Sequence, residues 1–477
     1  MKQEYIAGLD IGTTKICTVI VRASGGEMLD IAGVGTVPAR GVSKGTVVDL
    51  KQAALSITES VQAASHMAGF AIDRALVGVT GTHVEAENRR GAVTVGAAQN
   101  ESAASISEKD IARAFESAAI RVAPDREILH LVPRSFALDG QRGIASPLGM
   151  NASRLEAEIH LVTAASNSLK NVIDCTHRAG IEAQALVLEP IATSEAVCSP
   201  DERALGVAII DIGGGTSDIA VFCDGALHSS VIVPVGGNHV TRDISIGLRT
   251  PFEIAERLKI ESGGLTASPK DKEQTLEIVS AGGGERTKLP RAVLAKIIAP
   301  RMTELFEMAR DAMHCDDIRR QLPSGIILTG GGALLPGAVA LAQQVFGLPV
   351  RLGQPVGVAG WADRVNSPKF STAVGLLQYA RRLQREDYAF ANLPGNGDAT
   401  TRIWGVPLDI AAAPLQQEEA PVAEAAADIP AAAVPTPGGA ELSKNIAPAV
   451  SQNWQKLSRA LQPLLDRLRK LLGLDVE

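Results

Sequence analysis

One stretch of the chain combines an acidic residue with a glycine-rich turn, and these residue types could bind a phosphate group. The apolar run that ends at Asp211 and Ile212 predicts a buried strand, and a second strand is predicted from Ile219. Glycine lets backbone N–H groups approach an anion, and a carboxylate at the turn can hold a hydrated Mg²⁺. Taken alone, the stretch is also compatible with an ordinary hairpin turn. The predicted phosphate-binding residues are Gly213, Gly214, Gly215 and Thr216.

The same pattern occurs near the start of the chain, where an apolar run leads into Asp10. Each copy continues as a strand and a second turn, at residues 24–26 and 224–225. Two equivalent turns predict two equivalent domains, which would bind the phosphates of one nucleotide from opposite sides. Asp10 and Asp211 would then hold the metal ion through its water molecules. In the first copy, the predicted phosphate-binding residues are Gly12, Thr13, Thr14 and Lys15.

A third glycine turn follows the apolar run at residues 326–328 and leads into a predicted helix instead of a hairpin. Close backbone approach at Gly330, Gly331 and Gly332 suits a flat base and its sugar. Two Asp-x-Gly turns and a late Thr-Gly-Gly-Gly turn together resemble the actin-like ATPase superfamily, which includes actin, heat-shock chaperones and sugar kinases.

Glu189 stands at the end of a predicted strand, directly before Pro190 and a predicted crossover helix. A carboxylate at this point can accept a hydrogen bond from the water that attacks a γ-phosphate. The alternative is an exposed glutamate before a helix that starts with proline.

A predicted helix at residues 251–259 places Glu256 and Lys259 on one face, three residues apart. In the superfamily, such a helix supplies polar contacts to the ribose and base. An exposed ion pair is the alternative. Residues 289–313 predict a long amphipathic helix or a helix pair, broken or restarted at Pro300.

Composition limits the class of protein. The chain has 477 residues, enough for two to four domains, and its net charge of −7 argues against a general nucleic-acid binder. Five scattered cysteines without a Cys-x-x-Cys pair predict buried thiols in a reducing cytosol. Neither a secretion signal nor an apolar run of about 18 residues is visible, so we expect a cytosolic protein.

The end of the chain differs from the rest. Residues 411–450 contain 14 Ala and 6 Pro, which predicts a flexible tether. The following residues predict an amphipathic helix with Pro463 on its polar face, where a kink is expected. Its five basic residues and one acidic residue give this segment a charge of +4, which leaves −11 for the rest. We expect a reversible anchor on an anionic membrane surface, and docking on a protein surface is the alternative. The apolar arc consists of Trp454, Leu457, Leu461, Leu464, Leu465, Leu468, Leu471 and Leu472.

Residues 4–384 and the terminal helix resemble one family, the bacterial cell-division actin homologue FtsA. Besides the phosphate turns, the resemblance rests on the segments at residues 130–133, 139–144, 147–150 and 188–192. The segments between residues 130 and 150 are the specific part, because the whole superfamily shares phosphate turns. Arg134-Ser135 departs from the Gln-Glu pair that the family pattern leads us to expect.

The resemblance implies an α/β, actin-like ATPase fold with two duplicated domains around a nucleotide cleft, an inserted subdomain and no usual second subdomain. It implies ATP and Mg²⁺ as cofactors, with Asp10, Glu189 and Asp211 as the catalytic residues and weak ATPase activity at most. The predicted divisions are residues 1–84 and 163–204 (first domain, IA), 85–162 (inserted IC), 205–242 and 323–384 (IIA), 243–322 (IIB), 385–450 (linker) and 451–474 (anchor).

The resemblance also implies partners and a location. FtsA-like proteins polymerise on the inner face of the cytoplasmic membrane at the division septum and bind the C-terminal peptide of the ring protein FtsZ. For that peptide we consider Arg301 and Glu304 as contacts, and the insert would recruit other division proteins. Two alternatives remain at this point: a small-molecule kinase on the same fold, and a pilus-assembly ATPase scaffold without the tether and anchor.

Overall fold

A computed structural model describes residues 5–22, 28–96, 104–120, 122–266, 274–278 and 287–384. The predicted turn at residues 24–26, the tether and the terminal amphipathic helix lie outside these residues. In chain order the strands are β1 (Tyr5–Ile11), β2 (Lys15–Arg22), β3 (Leu29–Pro38), β4 (Val42–Ser43), β5 (Thr46–Val47), β6 (Arg74–Val79), β7 (Val84–Thr94), β8 (Ala104–Ser105), β9 (Arg126–Leu138), β10 (Gln141–Ile144), β11 (Asn151–Ala152), β12 (Arg154–Ala165), β13 (Glu182–Leu188), β14 (Val207–Ile212), β15 (Ser217–Cys223), β16 (Ala226–Val233), β17 (Thr275–Ile278), β18 (Thr287–Pro290), β19 (Ile326–Thr329), β20 (Val350–Leu352) and β21 (Val358–Gly360).

Helices join these strands, and short 3-10 turns occur between the last of them. No helix of the described ranges is long and apolar enough to cross a bilayer. The helices are α1 (Leu50–Ala68), α2 (Glu108–Ala119), α3 (Ser166–Arg178), α4 (Glu189–Val197), α5 (Pro200–Leu205), α6 (Gly237–Leu248), α7 (Phe252–Ser262), α8 (Ala292–Ala312), α9 (Cys315–Ile318), α10 (Ala338–Phe346) and α11 (Ser371–Gln384).

The duplication predicted from the two phosphate turns is present in the structure. Strands β1–β2–β3 form an antiparallel meander in a six-stranded sheet of order β13-β6-β1-β2-β3-β21. Strands β14–β15–β16 form the same meander in a five-stranded sheet of order β16-β15-β14-β19-β20. In each sheet the first strand of the meander also pairs in parallel with a later strand, β6 or β19. Each phosphate turn therefore connects the first two strands of its meander.

Each sheet buries apolar side chains against helices. The central strands of the meanders are buried on both faces, as in β15, where all seven residues are buried. The six-stranded sheet and one face of the five-stranded sheet share an apolar core with α1, α3, α4 and α11. The other face of the five-stranded sheet forms a second core with α6, α8 and α10. The first core therefore extends across both large sheets.

An insert between β6 and α3 forms a third core. Its four-stranded sheet has the order β10-β9-β12-β7, and α2 covers one face. Strand β9 is 13 residues long, and β10 follows it and pairs with it. The length of β9 follows from β12, which lies between β7 and β9 and bonds to both along most of its own length.

The other face of the insert contacts β16 through a buried polar cluster. The His160 ring bonds to Asn88 Oδ1 at 2.7 Å and to Ser230 Oγ at 2.8 Å. Arg134 Nη2 lies 2.8 Å from His228 Nδ1, so the residue that departs from the family pattern contacts the second domain. Burial and the Arg134 guanidinium lower the pKa of His160 to about 3, which keeps the ring neutral.

Helix α8 corrects the prediction for residues 289–313. It is one helix with Pro300 inside it, and Leu289 belongs to β18 instead. Proline removes one internal hydrogen bond, but the buried residues Ile298 and Met302 pack on both sides of it. Tertiary packing therefore maintains the helix through Pro300.

Helices α4 and α11 pack against each other between the two large sheets, and their closest point requires glycine. A Cβ built on Gly375 would lie 1.9 Å from the carbonyl oxygen of Ala192. This distance is far inside van der Waals contact, so any larger residue must separate the two helices.

We predict that Gly375→Ala lowers the free energy of unfolding by about 2 kcal/mol or more, because the helices cannot both keep their positions. Gly247→Ala is the matched control, since a Cβ there meets only the end of the Ile297 side chain at 3.0 Å. The intrinsic preference of helices for alanine is common to both changes. Urea unfolding measures the difference, and equal stability of the two variants would contradict the prediction.

Candidate functional site

The two phosphate turns face each other across the space between the domains. Both turns close with the same backbone bond, from Gly12 N to Lys15 O and from Gly213 N to Thr216 O, each 3.0 Å long. A Cβ built on Gly214 would lie 2.3 Å from Thr14 Cγ2. Glycine at position 214 permits this close approach to Thr14, so the structure brings the two predicted turns into one site.

Acidic side chains converge at these turns. Asp10 and Asp211 are the second-last residues of equivalent strands, and Asp10 Oδ2 lies 2.5 Å from Lys15 Nζ. Burial and the charge of Asp10 raise the pKa of Asp211 to about 6. Burial alone would lower the pKa of Lys15, but the Asp10 carboxylate raises it. Lys15 therefore stays charged. The charge of Lys15 lowers the pKa values of both Asp211 and Glu189 and so opposes the effect of burial.

Asp211 is also fixed by the helices that connect the domains. Its Oδ2 accepts hydrogen bonds from Thr193 Oγ1 of α4 at 3.2 Å and Thr372 Oγ1 of α11 at 3.1 Å. The two hydroxyls are 3.0 Å apart. A Cβ on Gly330 would lie 2.1 Å from Asp211 Oδ1. The third glycine turn therefore contacts Asp211 near the end of β14.

Glu189 is the first residue of α4 and is only 7% exposed, so the alternative of an exposed glutamate is wrong. Burial and the charges of Asp10 and Asp218 raise the pKa of Glu189 well above its usual value. Its Oε1 has no hydrogen-bond partner within the described part of the chain. Gly78 of β6 leaves room for this carboxyl, because a Cβ there would lie 3.2 Å from Oε1.

Glu256 and Lys259 form the predicted pair at 2.7 Å, but it is not an exposed ion pair, since the Lys259 side chain is 11% exposed. Lys259 Nζ donates to Gly237 O at 3.1 Å and to Thr241 Oγ1 at 2.8 Å, and Thr241 Oγ1 donates to Glu256. Gly237 N in turn donates to Gly213 O at 2.9 Å. The Glu256–Lys259 pair is thus connected to the second phosphate turn through Gly237.

The remaining predicted glycines differ in their surroundings. A Cβ on Gly332 would meet Ile212 Cγ2 at 2.3 Å, whereas nothing lies within 4 Å of one on Gly331. Arg301 and Glu304 lie on α8 and pair at 2.5 Å, and Arg301 Nε donates to Asp243 of α6 at 2.6 Å. Arg301 is partly exposed and Glu304 is exposed, and neither residue belongs to a phosphate turn.

A cavity of about 240 Å³ opens beside the turns. Two basic side chains line this cavity, Lys44 and Arg242, and no sequence pattern predicted a role for either. Lys44 sits at the tip of the β4–β5 hairpin, with its backbone about 3 Å from a Cβ built on Gly215, a contact that no local pattern signals. The lining residues are Thr13, Ser43, Lys44, Gly215, Asn238, His239, Arg242 and Phe252.

Sequence reasoning also missed Asp218 and Thr80. Thr80 Oγ1 donates to Asp218 Oδ1 at 2.8 Å, although the residues are 138 positions apart. Burial and the charge of Asp211 raise the pKa of Asp218 to about 7. One signal was available: Asp218 pairs with Asp211 in β14–β15, whereas Cys17 pairs with Asp10 at the same place in β1–β2.

The donor set fits a hydrated magnesium ion and a triphosphate. Buried carboxylates that outnumber the neighbouring basic side chains favour the binding of a metal cation. Mg²⁺ usually binds one or two carboxylates together with waters and phosphate oxygens. No group of three or more His, Cys, Asp or Glu side chains in the described ranges could hold a metal ion directly. The residues that could hold such an ion, through its waters, are Asp10 and Asp211.

Two duplicated domains with paired glycine turns at their interface define the actin-like ATPase fold, which confirms the fold predicted from the sequence. A solved structure described as "PilM-PilN type IV pilus biogenesis complex" shares this fold with a TM-score of 0.57. It is 18% identical and covers 78% of this chain and 97% of that chain, a likeness that shows the fold alone.

Sequence comparison then gives the family. A sequence-family model described as "Cell division protein FtsA" matches residues 208–375, and one described as "SHS2 domain inserted in FTSA" matches residues 81–163. The chain is 37% identical to "Cell division protein FtsA" of Pseudomonas aeruginosa, over 80% of this chain and 91% of that protein. It is 36% identical to the protein of the same description from Neisseria meningitidis, over 84% and 97%. The chain belongs to the FtsA family of cell division proteins.

The raised carboxyl pKa values predict a pH dependence of stability. Unfolded aspartates ionise near pH 4, whereas Asp211 and Asp218 in the fold ionise near pH 6 and 7. Between pH 4 and pH 7 the folded state therefore binds more protons than the unfolded state. The contribution of these two groups to the free energy of unfolding falls as the pH rises through this range.

We predict that Asp218→Asn, without metal or nucleotide, is more stable than the wild type at pH 8 by on the order of 1–3 kcal/mol. The gain should be much smaller at pH 5, where Asp218 is protonated. Calorimetric unfolding in a chelating buffer measures both values. The exposed Asp125→Asn is the control and should show no such difference. A variant that is less stable than the wild type at pH 8 would contradict this account.

Proposed function

We propose that the chain binds Mg²⁺-ATP between its two phosphate turns and links the division ring to the cytoplasmic membrane. The observation that carries the nucleotide site is the set of buried carboxylates around Lys15 between two glycine turns that nearly touch. A site of this charge is costly in a folded protein unless a cation completes it.

Each residue has a distinct task in this proposal. The N–H groups of residues 13–15 and 214–216 bind phosphate oxygens, while those of Gly12 and Gly213 close the two turns, and Lys15 adds a positive charge. Asp10 and Asp211 orient the waters of the metal ion, which neutralises phosphate charge when it is bound. Asp211 can keep its orientation because Thr193 and Thr372 hold one of its oxygens.

Adenosine lies against the second domain in this proposal. The Glu256–Lys259 pair and Thr241 offer polar atoms near the second turn, and Gly330 to Gly332 let a flat base come close to the backbone. Open space above Gly331 supports this placement.

Glu189 aligns the hydrolytic water. Its buried Oε1 lacks a partner in the described residues, so it can accept a hydrogen bond from a water at the γ-phosphate. Burial and the neighbouring carboxylates raise its pKa in the nucleotide-free protein, and a cation bound nearby would lower that pKa again. Hydrolysis should be slow, since few other groups are placed to activate water.

Membrane anchoring and ring binding rest on the sequence and on family membership. The apolar arc between Trp454 and Leu472 and its surrounding basic residues suit insertion into an anionic headgroup layer. Arg301, which is partly exposed on α8, and Glu304, which is exposed there, remain the proposed contacts for the FtsZ peptide. Self-association into filaments, the septal location and recruitment of later division proteins through the insert complete the proposal.

The metal role is tested through Asp211. We expect the full chain to bind a fluorescent ATP analogue at least about tenfold more tightly with Mg²⁺ than with a chelator, which is about 1.4 kcal/mol. In Asp211→Asn this ratio should fall towards one, because the amide keeps the threonine bonds but loses the charge. The exposed Asp174→Asn should keep the full ratio. A full Mg²⁺ dependence in Asp211→Asn would overturn the assignment.

The anchor is tested with a charge-matched pair of variants. Leu464→Glu with Leu468→Glu places two acidic groups in the apolar arc, and Gln455→Glu with Gln462→Glu places the same charge outside it. Sedimentation with anionic liposomes should show that the first variant loses most binding, about tenfold or more, because each buried leucine contributes roughly 1.5–3 kcal/mol. The second should lose much less. Equal losses would show that charge alone governs binding and would contradict the anchor.

A further inference from the structure

The insert contacts the first domain through a histidine in an apolar part of β9. His130 lies in a run of buried residues, 128–131, and is itself 1% exposed. Its Nε2 atom accepts a hydrogen bond from the backbone N–H of Leu188 at 2.9 Å. Because a buried imidazole without a partner is costly, this bond accounts for a polar residue in an otherwise apolar run.

Leu188 lies where β13 passes into α4. It is the last residue of the strand and directly precedes the helix. Strand β13 is at the edge of the six-stranded sheet and pairs with β6, so its other side is open to a hydrogen bond from the insert. Leucine cannot cap a helix with its own side chain. The His130 bond therefore fixes the chain at the start of α4.

Glu189 is the next residue, and its carboxyl group lies against β6. A Cβ built on Gly78 of that strand would be 3.2 Å from Glu189 Oε1. Since Glu189 follows Leu188 directly, the bond to His130 fixes the backbone from which the Glu189 side chain extends. A displacement of roughly 1 Å in an active site can change a reaction rate by about 100-fold. A loss of this bond is therefore expected to affect hydrolysis.

The His130 ring also contacts the second helix that passes between the large sheets. It stands edge-on to Tyr379 of α11, with ring centroids 5.9 Å apart. Helix α11 carries Thr372 and α4 carries Thr193, and both hydroxyls donate to Asp211. One residue of the insert thus contacts both helices that hold this carboxylate.

A second histidine holds the insert against the second domain. Val162 of β12 pairs with His130, and His160 is two residues before Val162, so both rings lie on the same face of the insert sheet. Asn88 Oδ1 can only accept, so His160 Nδ1 donates to it and Nε2 accepts from Ser230 Oγ of β16. Burial lowers the pKa of both rings to about 3, which keeps them neutral, as these acceptor roles require.

We propose that the insert regulates ATP hydrolysis through His130, a positioning residue that holds the Leu188 N–H and thereby places Glu189. The inference rests on the proposed ATP site. His160 keeps the insert on β16, and His130 reaches Leu188 only while the insert stays there. A displacement of the insert would break the Leu188 bond and slow hydrolysis. ATP binding would change little, because the bond lies at the Glu189 end of the site and not at the phosphate turns.

The experiment separates ATP binding from hydrolysis in the full chain. Single-turnover hydrolysis of pre-bound Mg²⁺-ATP gives the rate, and competition with a fluorescent ATP analogue gives the affinity. His130→Leu removes the acceptor and should lower the rate at least about tenfold, with the affinity changed less than about threefold. His130→Gln should restore the rate to within about threefold, because its amide oxygen can accept in place of Nε2.

Ser230→Ala tests the same connection from the second domain. It removes the donor to His160 Nε2 and leaves His130 intact, so the rate should fall by about threefold at unchanged affinity. The control is Thr18→Val, which removes another buried hydrogen bond, to Ser60 at 2.8 Å, in the core of the first domain. It should leave both the rate and the affinity unchanged.

Wild-type rates in His130→Leu and Ser230→Ala would overturn the inference, and if His130→Leu does not fold, a wild-type rate in Ser230→Ala would do so alone. Equal rate losses in His130→Leu and His130→Gln, an equal loss in Thr18→Val, or losses that only follow the affinity would also overturn it. A wild type that binds ATP without hydrolysing it would overturn the inference but not the ATP site. A wild type that binds no ATP would overturn both.

Discussion

The concentration of buried negative charge between two glycine turns is the constraint on which the rest of the structure depends. Asp10, Glu189, Asp211 and Asp218 act on one another electrostatically, and Lys15 is paired directly with Asp10. A fold keeps such a cluster only if its surroundings hold the groups in place. Here the surroundings are the two duplicated sheets, the close-packed pair α4 and α11, and the threonines that bond to Asp211 and Asp218.

The same residues connect the site to the relative position of the domains. Asp211 is bonded to both helices that pass between the large sheets, and Asp218 is bonded to Thr80 of the opposite domain. On another side, the insert contacts β16 through His160 and Arg134. A change of charge at the turns therefore acts on groups that join the two domains. The insert contacts both domains.

Much of this arrangement could be predicted from the sequence, because duplicated local patterns report local structure. The apolar runs and glycine turns around Asp10 and Asp211 specified both meanders, and Glu189 was placed correctly at the junction of a strand and a crossover helix. What could not be predicted depends on contacts between distant residues. Thr80 meets Asp218 only after the sheets have formed, and α8 continues through Pro300 because its neighbours bury its apolar face. Local propensity favours a break at that proline, but packing outweighs it.

A structure of the full chain with Mg²⁺ and a non-hydrolysable ATP analogue tests the central claim most directly. The account predicts that the β- and γ-phosphates lie between residues 12–15 and 213–216, with the waters of the metal ion bound by Asp10 and Asp211. A triphosphate bound elsewhere, or phosphates in the cleft with no cation near these two carboxylates, would contradict it.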